Sequence, residues 1–226
     1  MTDKKFIIFI GPVGSGKDTQ ADILADKLGF SRFKTTQVLE FKFNNAEPDD
    51  LDYEKMLEAK KQWNEGILLD SEWVSKTVSE ATEELINSGV KGIIYSGSPR
   101  TLPEAKTEIA KMESLLSKES ILVFKVDLSA EESIKRNSQR LFCENSHPID
   151  PNIAKTNPAT CSVDGGKIIR RDLDKPEVIK VRLDEYYNRT EPILDYLKEL
   201  GLEMININGE QSIEKVAEDI WVYFES

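Results

Sequence analysis

A chain of 226 residues with a net charge of −11 is long enough to bury one substantial core, and too acidic to carry an extended nucleic-acid or anionic-membrane surface. Hydrophobic residues at 39% and charged residues at 31% are globular proportions, and no apolar run reaches transmembrane length. Two cysteines are too few for a disulfide framework and the start of the chain has no signal-peptide pattern, so a reducing cytoplasm is the expected setting.

The apolar run Phe6-Ile7-Ile8-Phe9-Ile10 predicts a buried parallel strand. Gly11-Pro12-Val13-Gly14-Ser15-Gly16-Lys17-Asp18-Thr19-Gln20 follows it, and a helical pattern from Ala21 to Leu28 ends at Gly29. A strand, a glycine-rich turn and a helix N-terminus together make an anion cradle. Glycines let backbone N–H groups turn inward, the helix dipole favours negative charge, and Lys17 adds a full positive charge. The phosphate-loop pattern is complete through Gly11, Gly16 and Lys17; Asp18, followed by Thr19, stands where Ser or Thr is usual. The plain alternative is a glycine-rich strand-to-helix turn with no ligand.

A second strand is expected over Phe30–Thr36, ending in the polar turn Thr35-Thr36-Gln37. Helical patterns follow at Val38–Phe43, Leu51–Trp63 and Glu72–Asn87, the last capped by Asp70 or Ser71. Val90–Tyr95 predicts a third strand, running into Ser96-Gly97-Ser98-Pro99-Arg100-Thr101. Ligands gather at the carboxyl ends of strands in open parallel sheets, so Arg100 is expected on the edge that carries the phosphate loop. Thr101 and Glu104 have capping-box spacing for the next helix. A fourth strand over Ile121–Asp127 leads to a helix bearing Arg136 and Arg140 on one face. From Phe142 to Ile169 prolines and glycines gather with both cysteines and the sole histidine, which reads as an inserted excursion. A single long helix over about 177–200, carrying Arg182, then precedes a fifth strand at Leu202–Ile207 and a last helix capped by Ser212. The alternation predicts an α/β fold: a doubly wound, five-stranded parallel sheet with helices on both faces.

These motifs resemble the adenylate kinase family, nearly end to end. The resemblance rests on the phosphate loop continuing as Lys17-Asp18-Thr19-Gln20, on Gly97-Ser98-Pro99-Arg100-Thr101, on Arg136 with Arg140, and on Arg171-Asp172-Leu173-Asp174-Lys175-Pro176-Glu177 with Arg182. It implies a P-loop core (1–35, 69–140 and 171–226), a nucleoside-monophosphate-binding segment (36–68) and a lid (141–170). It implies reversible phosphoryl transfer from ATP, with magnesium, to a nucleoside monophosphate, AMP first. Small nucleotides are then the partners, without nucleic acid or membrane, and the chain is expected to act as a monomer.

Carried over by position, Gly14, Ser15, Gly16, Lys17, Asp18 and Thr19 hold the ATP phosphates and Arg136 lies against the ATP base. Arg100, with Thr36 and Gly97, holds the monophosphate, while Arg140, Arg171 and Arg182 converge on the transferring group. Always-charged, planar guanidinium groups suit a reaction that consists mainly of positioning and charge neutralisation. Each arginine alone also reads as a solvated helix face.

Four departures stand out. In Thr36-Gln37-Val38-Leu39-Glu40-Phe41 the family's carboxylate becomes Val38 and its arginine Phe41, with Lys42 adjacent. Ser96 replaces an Asp that orients magnesium waters, and Asp18 is a candidate replacement for it, against a plain helix first-turn role. Glu104 stands at the base-reading Gln. Ionised, it suits guanine; protonated, it suits adenine; and it can simply close the cap. In the lid Cys143, Cys161 and Asp164 hold three metal positions and Ser146 the fourth, with His147 beside it, so Cys143, His147, Cys161 and Asp164 are candidate zinc ligands. Two alternatives stay open: a kinase for another monophosphate such as GMP, and a nucleotide-binding protein of this fold with little transferase activity.

Overall fold

The computed structural model describes residues 3–49, 53–145 and 147–225. Leu51, at the expected start of the third helix, and Ser146, the fourth metal position, lie outside them. The elements are β1 Phe6–Ile10, α1 Lys17–Leu28, β2 Ser31–Lys34, α2 Thr35–Asn44, α3 Tyr53–Glu65, α4 Ser71–Asn87, β3 Ile93–Ser96, α5 Leu102–Leu115, β4 Ile121–Asp127, α6 Ala130–Gln139, β5 Phe142–Cys143, α7 Pro151–Ala154, β6 Ile168–Ile169, α8 Pro176–Glu185, α9 Ile193–Glu199, β7 Glu203–Asn208 and α10 Ile213–Glu225.

Five strands pair in parallel in the order β2-β3-β1-β4-β7. β1 is central and every one of its residues is buried, as an apolar strand covered on both faces must be. Its alternation divides the core. Phe6, Ile8 and Ile10 face one helical layer with Tyr95, Ile109 and Leu197; Ile7 and Phe9 face the other with Leu24, Phe124 and Ile220. Phe9 stacks on Phe124 at 5.1 Å. The antiparallel pair β5–β6 stands apart from the main sheet and forms the base of the inserted excursion.

Three local expectations are corrected. The second strand stops at Lys34, and Thr35 already begins α2. Arg140 is not on the face of α6; it is the extended C-cap residue, so its side chain leaves the direction that Arg136 takes. The long helix expected over 177–200 is interrupted by a π turn at Tyr186–Thr190, with Glu191 N–H donating to Tyr186 O at 2.8 Å. Pro192 has no N–H to continue the ladder, so the chain widens one turn before restarting as α9.

Phe124 is fully buried between Phe9 on one side and Tyr223 and Phe224 on the other. Phe124→Ala should cost about 3–5 kcal/mol by cavity formation. Urea denaturation of the natural and altered chains checks this, and a loss under about 1 kcal/mol would show that the sheet's second face is not the packed layer described.

Candidate active site

The loop between β1 and α1 is shaped by glycines at Gly14 (φ 81°) and Gly16 (φ 85°), both in the left-handed region. A Cβ on Gly14 would lie 2.3 Å from the Asn137 amide nitrogen, whereas one on Gly16 would meet nothing within 4 Å. The loop is therefore braced against α6 on one side and open on the other. Gly16 caps α1, whose first-turn N–H groups point to the open side. Ser15 is buried, and its hydroxyl turns back to within 2.9 Å of where a Cβ on Gly11 would sit.

Lys17 reaches over the loop, with Nζ 3.4 Å from Pro12 O. Burial and the charges of Arg100, Arg182 and Arg140 lower its pKa to about 8, against the opposing pull of Asp18. Arg182 is pushed down to about 9 by burial and by Arg100, Arg140 and Arg171. Burial and the Arg171 charge likewise lower Arg140. So Lys17, Arg100, Arg140, Arg171 and Arg182, far apart in sequence, share one electrostatic neighbourhood. Each is held by the protein. Arg100 Nε donates to Gly97 O at 2.7 Å, and Gly97 makes that turn at φ 106°. Arg140 donates to Asn137 Oδ1 at 3.0 Å. Arg171 grips buried Asp174 through Nε (3.1 Å) and Nη2 (3.4 Å). Arg182 donates to Leu173 O at 3.3 Å.

Arg136 lies outside this group, ion-paired with Glu132 at 3.0 Å on α6. Thr19 is exposed at the start of α1. Glu104 is 2% exposed, and its turn already uses both of its oxygens: Oε2 accepts from Arg100 N–H at 2.7 Å and Oε1 from the Thr101 hydroxyl at 3.0 Å. Burial raises its pKa despite those bonds. On α2, Val38 packs on the core, Phe41 is 68% exposed, and Lys42 is drawn away to Thr77 Oγ1 at 3.2 Å. Thr36 is half-buried; its neighbour Thr35 is buried with a hydroxyl that has no partner.

In the excursion His147 Nδ1 lies 3.3 Å from Cys143 Sγ, 3.8 Å from Cys161 Sγ and 3.1 Å from Asp164 Oδ2, and Cys143 Sγ lies 3.7 Å from Asp164 Oδ2. All four donor atoms fall within 4.8 Å of one another. The Asn145 amide and Gly166 N–H hold Asp164 well below the usual carboxylate range.

The adenylate kinase family model matches residues 9–202. Among curated proteins, the chain is similar to an adenylate kinase of Methanosarcina barkeri, 33% identical over 216 residues, and to one of Petrotoga mobilis, 33% identical over 218 residues; in each case 95% of both chains is covered. It is 30% identical to an adenylate kinase of Staphylococcus epidermidis over 217 residues, covering 95% of this chain and 96% of the relative. The chain belongs to the adenylate kinase family. It is thereby a nucleoside monophosphate kinase on the family's P-loop fold.

Four residues that matter to this adenylate kinase site are not among those the motifs single out. Phe142 carries two of the arginines on its ring, Arg171 at 3.5 Å and Arg140 at 5.1 Å. Thr190, in the π turn, donates to Arg100 O at 2.8 Å and so fixes the Arg100 main chain. Thr35 is the first residue of α2, directly after β2. Arg32 bonds to Asp18 and Ser96. Only the aromatic residue beside Arg140 had a readable signal; the others depend on the turn of the chain.

Lys17 in the folded, ligand-free protein has a pKa near 8 against a reference of 10.5. The folded state therefore binds fewer protons in that window, and stability rises with pH through it. Lys17→Met should abolish turnover, yet raise the ligand-free melting temperature at pH 7 and flatten its rise between about pH 8 and 10. A lower melting temperature in the variant, or unchanged turnover, would contradict the crowded-cation description.

Proposed function

We propose that this protein is an ATP:AMP phosphotransferase, moving the γ-phosphoryl group of ATP reversibly to AMP to give two ADP. The observation that carries the reading is the meeting of Lys17 with Arg100, Arg140, Arg171 and Arg182 at the carboxyl edge of the sheet, in a chain whose overall charge is −11. Lys17 and the N-terminus of α1 hold the ATP phosphates, together with Gly14, Ser15, Gly16, Asp18 and Thr19. Arg100, with Gly97, clamps the acceptor phosphate, and Thr35 or Thr36 borders it. Arg140, Arg171 and Arg182 neutralise the oxygens of the group in flight, which is most of what phosphoryl transfer requires. Arg136 flanks the ATP base. Four arginines held in one electrostatic neighbourhood with Lys17 favour an enzyme over a nucleotide-binding module.

Magnesium would enter with the ATP phosphates and supply charge neutralisation there, and Asp18 is the carboxylate of this chain nearest in sequence to Lys17 that could hold its water shell. Residues 36–68 and 141–170 act as the acceptor segment and the lid. The lid zinc reading is supported by its donor set, since a tetrahedral site with bonds of about 2.0–2.3 Å places ligand atoms about 3.3–3.8 Å apart. Zinc there supplies folding energy to the lid and takes no part in transfer. Two free thiols fit a reducing cytoplasm.

AMP stands ahead of GMP because both Glu104 oxygens already accept bonds from its own turn. Turnover with AMP, GMP, CMP, UMP and dTMP in turn tests the assignment. AMP should be the best acceptor, and Glu104→Gln should leave the AMP-to-GMP ratio within about three-fold while costing about 1–3 kcal/mol in stability. A swing of the ratio toward AMP would instead make Glu104 a base reader. Protein purified without chelator should carry close to one zinc per chain, lost in Cys143→Ser. Zinc well below stoichiometry would end the lid assignment.

A further inference from the structure

Arg32 on β2 uses all five of its N–H groups within the protein. Nε donates to Asp22 Oδ1 at 2.8 Å; Nη1 donates to Phe33 O at 2.8 Å and Ile94 O at 3.1 Å; Nη2 donates to Asp18 Oδ1 at 3.3 Å and to Ser96 Oγ. Its side chain is only 12% exposed. It has no donor left for a ligand, so it does not bind substrate.

Asp18 is its opposite. The side chain is 60% exposed in the first turn of α1, next to Lys17, and its Oδ1 also accepts from the Ser96 hydroxyl. A carboxylate in a phosphate cradle repels the ligand that Lys17 attracts, unless a nearby cation answers it. Lys17, the Ser96 hydroxyl and Arg32 hold the Asp18 carboxyl below the usual carboxylate range, so it is ionised at neutral pH. Ser96 ends β3 and is followed by Gly97, whose carbonyl holds Arg100. A continuous line of bonds therefore joins the turn that carries Lys17 to the turn that carries Arg100.

We propose that Arg32 is a positioning residue of the phosphoryl-transfer site: it ties Asp18 to Ser96, so fixing the ATP-phosphate charge relative to the acceptor clamp, and it cancels the Asp18 charge that would otherwise weaken ATP binding. The inference rests on the kinase reading above. A misplacement of about 1 Å between reacting groups costs on the order of 100-fold in rate, so the tie acts mainly on kcat. The charge cancellation acts on ATP affinity.

The two effects separate in three single variants and one double variant, compared with the natural protein for kcat, both KM values, ATP affinity by calorimetry without acceptor, and melting temperature. Ser96→Ala keeps Arg32 and its bonds to backbone carbonyls; it should lower kcat about 10-fold with both KM values within three-fold, a partial loss of alignment. Arg32→Lys should keep ATP affinity and lose kcat. Arg32→Met should lose both, about 100-fold in kcat and 10-fold or more in ATP affinity, and adding Asp18→Asn should restore the affinity alone. If Arg32→Met does not fold, the other two variants decide. A natural protein that binds ATP without turnover on any acceptor would sink the kinase reading, and the affinity arm would still test the charge cancellation. Melting temperatures that fall while kcat and ATP affinity stay within about two-fold in Ser96→Ala and Arg32→Lys would overturn the proposal.

Discussion

Repulsion among like charges is the constraint that the rest of this structure answers. A pair of unit charges about 6 Å apart at an effective dielectric of about 20 costs about 3 kcal/mol, and five cations share this cleft. The fold holds them by separate anchors: a salt bridge to buried Asp174 for Arg171, main-chain carbonyls for Arg100 and Arg182, an amide for Arg140, and an aromatic ring beneath two of the guanidinium groups. Burial removes the water that would otherwise screen them, and lowers Lys17 and Arg182. Such an arrangement is relieved by an anion that reaches several of the cations at once. The acidic remainder of the surface keeps anion binding local to the cleft.

The departures from the family pattern are answered by neighbours. Ser96 loses a carboxylate, and Asp18 from α1 brings one to the same hydroxyl, with Arg32 balancing it. The Ser98 hydroxyl donates to the fully buried Glu108 at 2.6 Å. Burial, and then Glu104 one turn away, raise the Glu108 pKa well above the usual range, and the Ser98 hydroxyl opposes that shift. In the excursion His147, one position beyond Ser146, meets both thiols through Nδ1.

Much of this was legible in the sequence. The β1 run is apolar at every position because both of its faces are covered; a strand with one wet face would alternate with polar residues instead. The glycines before Lys17 and the capping at Thr101 and Asp70 are local signals, each carried by a few adjacent residues. What escaped depends on distance along the chain. Nothing near Arg32 tells that Asp18 and Ser96 will meet its far end, since they come from a helix and from another strand. Nothing near Tyr186 announces a π turn except Pro192, whose missing N–H acts a turn earlier, and its functional consequence is a bond from Thr190 to Arg100. Helix α2 begins at Thr35, sooner than the sequence pattern suggests, so Thr36 lies in its first turn beside the buried, unpartnered Thr35.

The central claim is that two nucleotides meet over one set of charges and exchange a phosphoryl group. The most direct measurement supplies neither ATP nor AMP. Phosphorus NMR of the purified protein with ADP and magnesium alone should show the ATP β-phosphorus and AMP signals growing in equal amounts at the expense of ADP, until the reverse reaction balances them. An ADP spectrum that stays unchanged at stoichiometric protein, with ADP shown to be bound, would contradict the account.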